Sequence, residues 1–278
     1  MKSLYDSVSY QCSAITTQRY STSFSLGIRL IEKSLQPHIY ALYGFVRFAD
    51  EIVDTFHDFD KQTLLNRFVA DTYLALDEKI SLNPILNSFQ QTVREFKIDV
   101  ELINTFIRSM QMDLNPQQYD QANYEQYILG SAEVVGLMCL KIFVNGNEET
   151  YQQLKPSAMR LGAVFQKVNF LRDLQFDVKE LNRSYFPDLT ADNLSQERML
   201  LIFQEIDTDF DEAYKGIVQL PNSSRFGVYL AYRYYRKLFN KIKHTSTTQL
   251  LSQRIRIPDF EKYFILLRSY LRHQLNMY

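Results

Sequence analysis

The sequence predicts one all-α domain, and three observations carry that expectation. Apolar residues recur with helical period, while strand-like alternation closed by turn pairs is almost absent. The 278 residues hold only 8 Gly and 7 Pro, and Pro37, Pro84, Pro116, Pro156, Pro187, Pro221 and Pro258 punctuate the chain into long segments. No linker, internal repeat or low-complexity tract divides it, and a hydrophobic content of 46% can fill one large core, so residues 1–278 are read as a single domain.

Taken in order, the first helix is expected over 36–57, opening at Pro37, and the second over 60–79. A third over 84–96 has Asn83 as a capping residue ahead of Pro84. The fourth, 99–114, stops short of Pro116, and the fifth covers 122–145. A long helix over 149–180 is followed by one over 195–217, which ends before Pro221. Helices over 223–245 and 258–276 complete the chain, the last with Asp259 after Pro258 as its start signal.

Composition excludes several function classes. Lys+Arg (31) nearly balance Asp+Glu (32), so the total charge of -1 gives no electrostatic support for nucleic-acid binding or an anionic-membrane tether. Function must then come from local charge arrangement. Cys12 and Cys139 cannot build a disulfide framework, and His38, His57, His244 and His273 are scattered and read as surface or packing residues. The N-terminus, Met1-Lys2-Ser3-Leu4-Tyr5-Asp6, has no signal-peptide pattern. The most apolar stretch, Val134 to Val144, contains Lys141 and is far short of the ~20 residues of a membrane span. A soluble cytoplasmic protein is the expectation, with a greasy substrate as a reason to visit a membrane surface.

Gly130, Gly136 and Gly162 fall inside expected helices, where each costs about 1 kcal/mol relative to alanine. Close helix packing is the plainer reading. The sharper one is a slot for a ligand, lined by the i, i+4, i+8 row Ser131, Val135 and Cys139 beside Ala132 and Gly136.

Two acidic stripes carry the chemistry. In the run Tyr43 to Asp54, Asp50 and Asp54 are four apart and share a helix face, with Arg47 and Tyr43 continuing the stripe. In the run Gln166 to Asp177, the residues Gln166, Asn169, Asp173 and Asp177 share a face, while Val164, Phe165, Val168, Phe170, Leu171 and Leu174 mark a largely buried helix. Two acid pairs facing each other in a core are expensive, and a divalent cation would neutralise them. Carboxylate and amide oxygens suit Mg²⁺, which commonly shares its shell with substrate phosphates. Arg47 and Arg172 then serve as phosphate counter-charges, the alternative being salt-bridged helix faces.

These runs resemble the squalene/phytoene synthases over roughly residues 18–260. Ser21-Thr22-Ser23-Phe24-Ser25 resembles the family's N-terminal serine-rich stretch, and Ala41-Leu42-Tyr43 through Asp54 its first aspartate-rich helix. Met110 to Leu114 and Tyr127 to Gly136 resemble its central helices. Gln166 to Asp177, followed by Arg183-Ser184-Tyr185-Phe186-Pro187, resembles its second aspartate-rich helix and the turn after it. Departures are Glu133 in place of a small residue, Gln175-Phe176 in place of Gly-Glu, and Tyr20 and Thr22 in place of basic residues.

The resemblance implies an isoprenoid synthase helical bundle with a central cavity, bound to prenyl diphosphates. Catalytic roles fall on Asp50, Asp54, Asp173, Asp177 and Tyr127, and metal binding on Asp50, Asp54, Asn169, Asp173 and Asp177. Substrate contacts fall on Tyr20, Ser21, Thr22, Ser23, Tyr43, Arg47, Gln166, Arg172 and Tyr235. Mg²⁺ is the expected cofactor, with Mn²⁺ as its chemical substitute. NADPH is not expected, and no Gly-rich dinucleotide fingerprint is present. The implied reaction is head-to-head condensation of two geranylgeranyl diphosphates to phytoene, favoured by the Asp50-Glu51-Ile52-Val53-Asp54 form of the first motif. Its rivals are squalene or dehydrosqualene synthesis from farnesyl diphosphate, and a non-catalytic assembly protein on the same fold.

Overall fold

The computed structural model describes residues 1–114, 119–179, 185–187 and 196–274, and every regular element among them is helical. Two helices stand ahead of those the periodicity predicts: α1 (Lys2–Tyr20) and α2 (Thr22–Ile28). The reason α1 escapes a hydrophobic pattern is chemical. Its buried residues are Ser9, Ser13 and Thr17, an i, i+4, i+8 row of small hydroxyls. Ser13 Oγ lies 2.8 Å from Ser88 Oγ, Ser9 Oγ accepts from Asn87 Nδ2 at 3.0 Å, and Thr17 Oγ1 donates to the Ser13 carbonyl at 2.9 Å. Polar groups so buried are tolerated because each finds a partner.

The expected helices then appear close to their expected ends. They are α3 (Gln36–Asp54), α4 (Lys61–Glu78), α5 (Pro84–Glu95) and α6 (Val100–Leu114). Asn83 caps α5, accepting from the Ile85 amide at 3.0 Å, and Asp60 caps α4 from the Thr63 amide at 3.0 Å. The predicted 122–145 helix is broken by geometry rather than by a turn. α7 (Gln121–Ile128) runs into one turn of π-helix, Leu129–Glu133, and continues as α8 (Val134–Phe143). This joined run is long and apolar enough to cross a membrane, which corrects the expectation drawn from Val134 to Val144 alone, but most of it is buried within the core. Then come α9 (Glu148–Lys179), α10 (Gln196–Ile217), α11 (Asn222–Lys243), the short α12 (Thr247–Leu250) and α13 (Asp259–Gln274). Arg183 and Ser184 lie outside the described residues.

Two hydrophobic cores form around these helices. The N-terminal core centres on Phe45, stacked on Phe89 at 3.9 Å and 4° with Phe106 at 5.5 Å, all fully buried. Burying one such ring stabilises by about 2–3 kcal/mol. The C-terminal core centres on Val164, Val168 and Leu171 of α9 with Phe210 and Phe239. α8 is shared, giving Leu137 and Leu140 to one core and Val134, Met138 and Ile142 to the other.

The glycines inside the helices serve close packing. A Cβ on Gly162 would meet the Ala132 carbonyl at 2.4 Å, and one on Gly136 the Ala158 carbonyl at 2.7 Å. Likewise, a Cβ on Gly130 would lie 2.7 Å from Ser109. The slot reading therefore loses Gly136. Its remaining row, Ser131, Val135 and Cys139, is partly accessible where α8 divides the cores, and Ser131 Oγ is buried without a partner. Burial pushes the Cys139 thiol up to about 12.

A charged network lies on α9 away from the second acidic stripe. Lys167 is buried with its Nζ 2.5 Å from Asp209 and is also paired with Glu205, while Arg160 reaches Asp209 at 3.4 Å and Glu133 at 3.8 Å. Burial raises the Glu133 pKa, and Arg160 and Lys167 oppose that rise. The departure at Glu133 thus has a set of cations facing it.

Candidate active site

On α3, the helical spacing places Tyr43, Arg47, Asp50 and Asp54 on one stripe. Asp50 is pushed up to about 8, first by burial, then by the negative charges of Asp54 and Asp113, with Arg47 pulling the other way. Asp54 lies at the exposed end of the stripe. Arg47 pairs with Glu51 one turn on and sits 4.4 Å over the Tyr20 ring, yet its buried Nε has no partner. Burial works against its charge, but Glu51 and Asp50 more than offset this. Burial raises Tyr43, with Arg47 lowering it, and a hydrogen bond from Ser21 and the charge of Arg172 add to the lowering.

On α9, Asn169 accepts from the Tyr235 hydroxyl at 3.2 Å, and Gln166 is half-buried one turn earlier. Burial pushes Tyr235 up to about 12, against the charge of Arg172. Asp173 is gripped by two arginines. Arg172 reaches it at 2.5 Å, and Arg254 reaches it with Nε at 2.6 Å and a second nitrogen at 3.2 Å. Burial works against the charge of Arg172, but Asp173 more than restores it. The Asp177 backbone continues the helix, and its side chain lies outside the described residues.

What joins the stripes is a ring cluster. Phe24 of α2 lies 6.0 Å from Tyr43, 6.0 Å from Phe165 and 5.8 Å from Tyr235, and Phe165 stacks on Tyr235 at 4.1 Å. Tyr43 on α3 and Tyr235 on α11 therefore face one space, and both feel Arg172 on α9. The N-terminal serine stretch borders it. Ser21 caps α2, accepting from the Phe24 amide at 3.2 Å, and Ser23 lines a groove with Phe24 and Tyr235. Thr22 Oγ1 lies 3.5 Å from Lys262 Nζ, so α13 brings a cation to the place where the N-terminal run has no basic residue.

A third group adjoins Asp50. The Tyr127 hydroxyl donates to Asp113 at 2.8 Å, and Tyr185 donates to the same carboxylate at 3.4 Å. Phe170 stacks on Tyr185 at 4.1 Å and 5°. Burial first, and then Asp113, keep Tyr127 well above an ordinary phenol pKa, so it holds its proton. Asp113 was missed as a site residue although its run, Met110 to Leu114, is part of the resemblance; an acid among Met110, Met112 and Leu114 was the available signal. Arg254 and Lys262 were missed because nothing local marks them. Only folding carries them to Asp173 and Thr22.

Among the described residues, no three or more His, Cys, Asp or Glu side chains gather at metal-holding distance. The donor set nonetheless fits a hard divalent cation. Burial, and then the charges of Asp54 and Asp113, disfavour the ionised Asp50, a charge that a cation would restore, and carboxylate and amide oxygens are the ligands such a cation takes.

Comparison with known proteins fixes the family. The family model for squalene/phytoene synthase matches residues 17–261. The chain belongs to the squalene/phytoene synthase family. Squalene/phytoene synthases are prenyl-transferring enzymes. Similar relatives include phytoene synthase 1 of Solanum lycopersicum, 27% identical over 249 residues, covering 81% of this chain and 58% of that one. The Zea mays phytoene synthase 1 is 27% identical, and the chain spans 62% of it. With the Arthrospira platensis phytoene synthase, 24% identity extends over 95% of this chain and 93% of the other. A ligand-bound dehydrosqualene synthase shares the fold with a TM-score of 0.83 at 19% identity over 98% of both chains. The squalene synthase of Alicyclobacillus acidocaldarius does so at 0.74 and 20%, over 84% of this chain and 93% of that one. The all-α expectation stands.

Proposed function

We propose that this squalene/phytoene synthase joins two geranylgeranyl diphosphates head to head to give phytoene. The observation that carries the reading is the approach of the two stripes: Tyr43, one turn before Arg47 on α3, and Tyr235, which donates to Asn169 on α9, both lie against the Phe24 ring. Sequence relatives named phytoene synthase support the twenty-carbon substrate. Asp50, Asp54, Asn169, Asp173 and Asp177 would hold Mg²⁺, with Mn²⁺ as its substitute. The ion would neutralise diphosphate and favour its departure.

The chain's own groups do the rest. Arg47, with its unpartnered Nε, and Arg172 and Arg254 on Asp173 bind phosphate oxygens and stabilise the charge that develops as the allylic C–O bond breaks. The double bond of the second substrate attacks that allylic cation, and proton loss closes a cyclopropyl diphosphate. The second C–O bond then ionises, the carbon skeleton rearranges, and loss of one more proton leaves the central conjugated triene. The faces of Phe24, Phe165 and Tyr235 shield the cations from water. Tyr127, protonated and aimed at Asp113, orients polar groups beside the reacting carbons without supplying negative charge. The Ser131, Val135 and Cys139 row takes a prenyl tail.

The test is incubation with fifteen- and twenty-carbon diphosphates and Mg²⁺, with and without NADPH, followed by product identification. Phytoene from the twenty-carbon substrate without NADPH is the expected result. Turnover of the fifteen-carbon substrate alone, or squalene on adding NADPH, overturns the assignment. No product from either would favour an assembly role.

A further inference from the structure

The face of α13 that points away from the bundle is the wrong polarity for a surface helix. Phe260, Tyr263, Phe264, Leu267, Tyr270 and Leu271 recur at three- and four-residue spacing, so they form one stripe, and each is 47% to 68% exposed. The inward side is mixed, with Ile265 packed against the C-terminal core. Ser269 is fully buried with its hydroxyl unpartnered, and Lys262 lines the groove beside Phe24 and Tyr235. A contiguous apolar ridge of this kind marks a surface that meets something apolar.

Charge identifies what that is. The near-neutral total hides a segregation: residues 221–278 carry eleven Lys and Arg against only Asp259 and Glu261, while residues 1–220 carry twenty against thirty acids. Some of these cations serve internal pairs, such as Arg236 and Lys243 with Asp207. Arg268, by contrast, is exposed on α13 itself beside the ridge, and Arg256 is exposed just before the helix. An aromatic and aliphatic stripe flanked by basic residues is the pattern of a helix lying in the interface of an anionic bilayer, with tyrosines at the headgroup level.

We infer that α13 docks the protein on the surface of a membrane containing anionic lipid, through Phe260, Phe264, Leu267 and Leu271 in the acyl boundary and basic residues at the headgroups. The opposite side of the helix lines the groove at the candidate active site, so the docked face lies about one helix diameter, roughly 10 Å, from that groove. A long-chain hydrocarbon leaving the site then enters lipid rather than water. The docking rests on α13 alone and holds whichever diphosphate is used.

The experiment is co-sedimentation of the full chain with vesicles of phosphatidylglycerol mixed with phosphatidylcholine, against phosphatidylcholine alone. Wild type is expected to sediment with the anionic vesicles and to bind phosphatidylcholine, or anionic vesicles at high salt, about tenfold more weakly. A Phe264→Asp/Leu267→Asp variant, exposed at both positions, should keep its circular dichroism and lose at least about tenfold in vesicle binding. Wild type remaining in the supernatant, or a variant that binds as wild type does, overturns the inference. So does a concentration-dependent dimer in sedimentation velocity that the double variant dissolves, since a second copy of the chain would then cover the face. No substrate enters these measurements, so their failure is separate from any failure of the proposed reaction.

Discussion

Replacing Asp50 by Asn should make the metal-free protein more stable while removing its activity. The Asp50 carboxyl has an ordinary pKa of 3.8 and is raised to about 8 in the folded chain. A carboxyl raised on folding contributes stability that is fully present below its unfolded pKa and lost as pH rises toward the folded value. At pH 7 the gap is about three units at 1.36 kcal/mol each, a ceiling of about 4 kcal/mol. Asp50 is partly accessible, so solvent screening reduces this to about 2 kcal/mol. For a chain of this size that is roughly a 4 °C gain in Tm for Asp50→Asn. The assay is thermal unfolding by circular dichroism in EDTA from pH 4 to 8, paired with product formation in Mg²⁺. The gain should be largest near pH 8 and vanish toward pH 4, and turnover should fall below detection at every pH. A variant that is equally or less stable at pH 8 would refute the strained-carboxylate argument, and wild-type turnover would refute the catalytic one.

Four further outcomes follow from particular contacts. Arg254→Gln removes a pair at 2.6 Å from Asp173 and should lower kcat/KM by about a hundredfold with little change in Tm; kinetics at saturating Mg²⁺ check it. Cys139→Phe fills the row between the cores and should depress twenty-carbon turnover more than fifteen-carbon turnover, whereas equal loss points to damaged packing. Gly162→Ala places a Cβ 2.4 Å from the Ala132 carbonyl and should cost about 3 kcal/mol in urea unfolding. Lys167→Leu leaves Asp209 buried with only Arg160 near it, and a loss of about 2–3 kcal/mol in urea unfolding is expected.

The helices and both acidic stripes were legible in the sequence because their signals are local. Asp50 and Asp54, or Asn169, Asp173 and Asp177, share a face by spacing alone, and Asn83 before Pro84 starts a helix wherever the chain puts it. α1 was not legible, since its buried face is Ser9, Ser13 and Thr17 and a hydroxyl counts as buried only when Asn87 and Ser88 of α5 stand opposite it. The π-turn at Leu129–Glu133 was likewise hidden, because it changes hydrogen bonding without changing composition. The balanced total charge read as neutral, although the same residues sort into an acidic body and a basic segment over 221–278.

Sequence by itself determined an all-α chain with carboxylates and arginines displayed at helical spacing, because those are properties of a single turn of backbone. Tertiary structure decided the partners. It put Arg254 on Asp173 across 81 positions, set Tyr127 and Tyr185 on Asp113, and packed Gly162 against the Ala132 carbonyl where a ligand slot was the alternative. Electrostatic and packing energies depend on distances through space, and spacing along the chain does not fix those until the helices have docked.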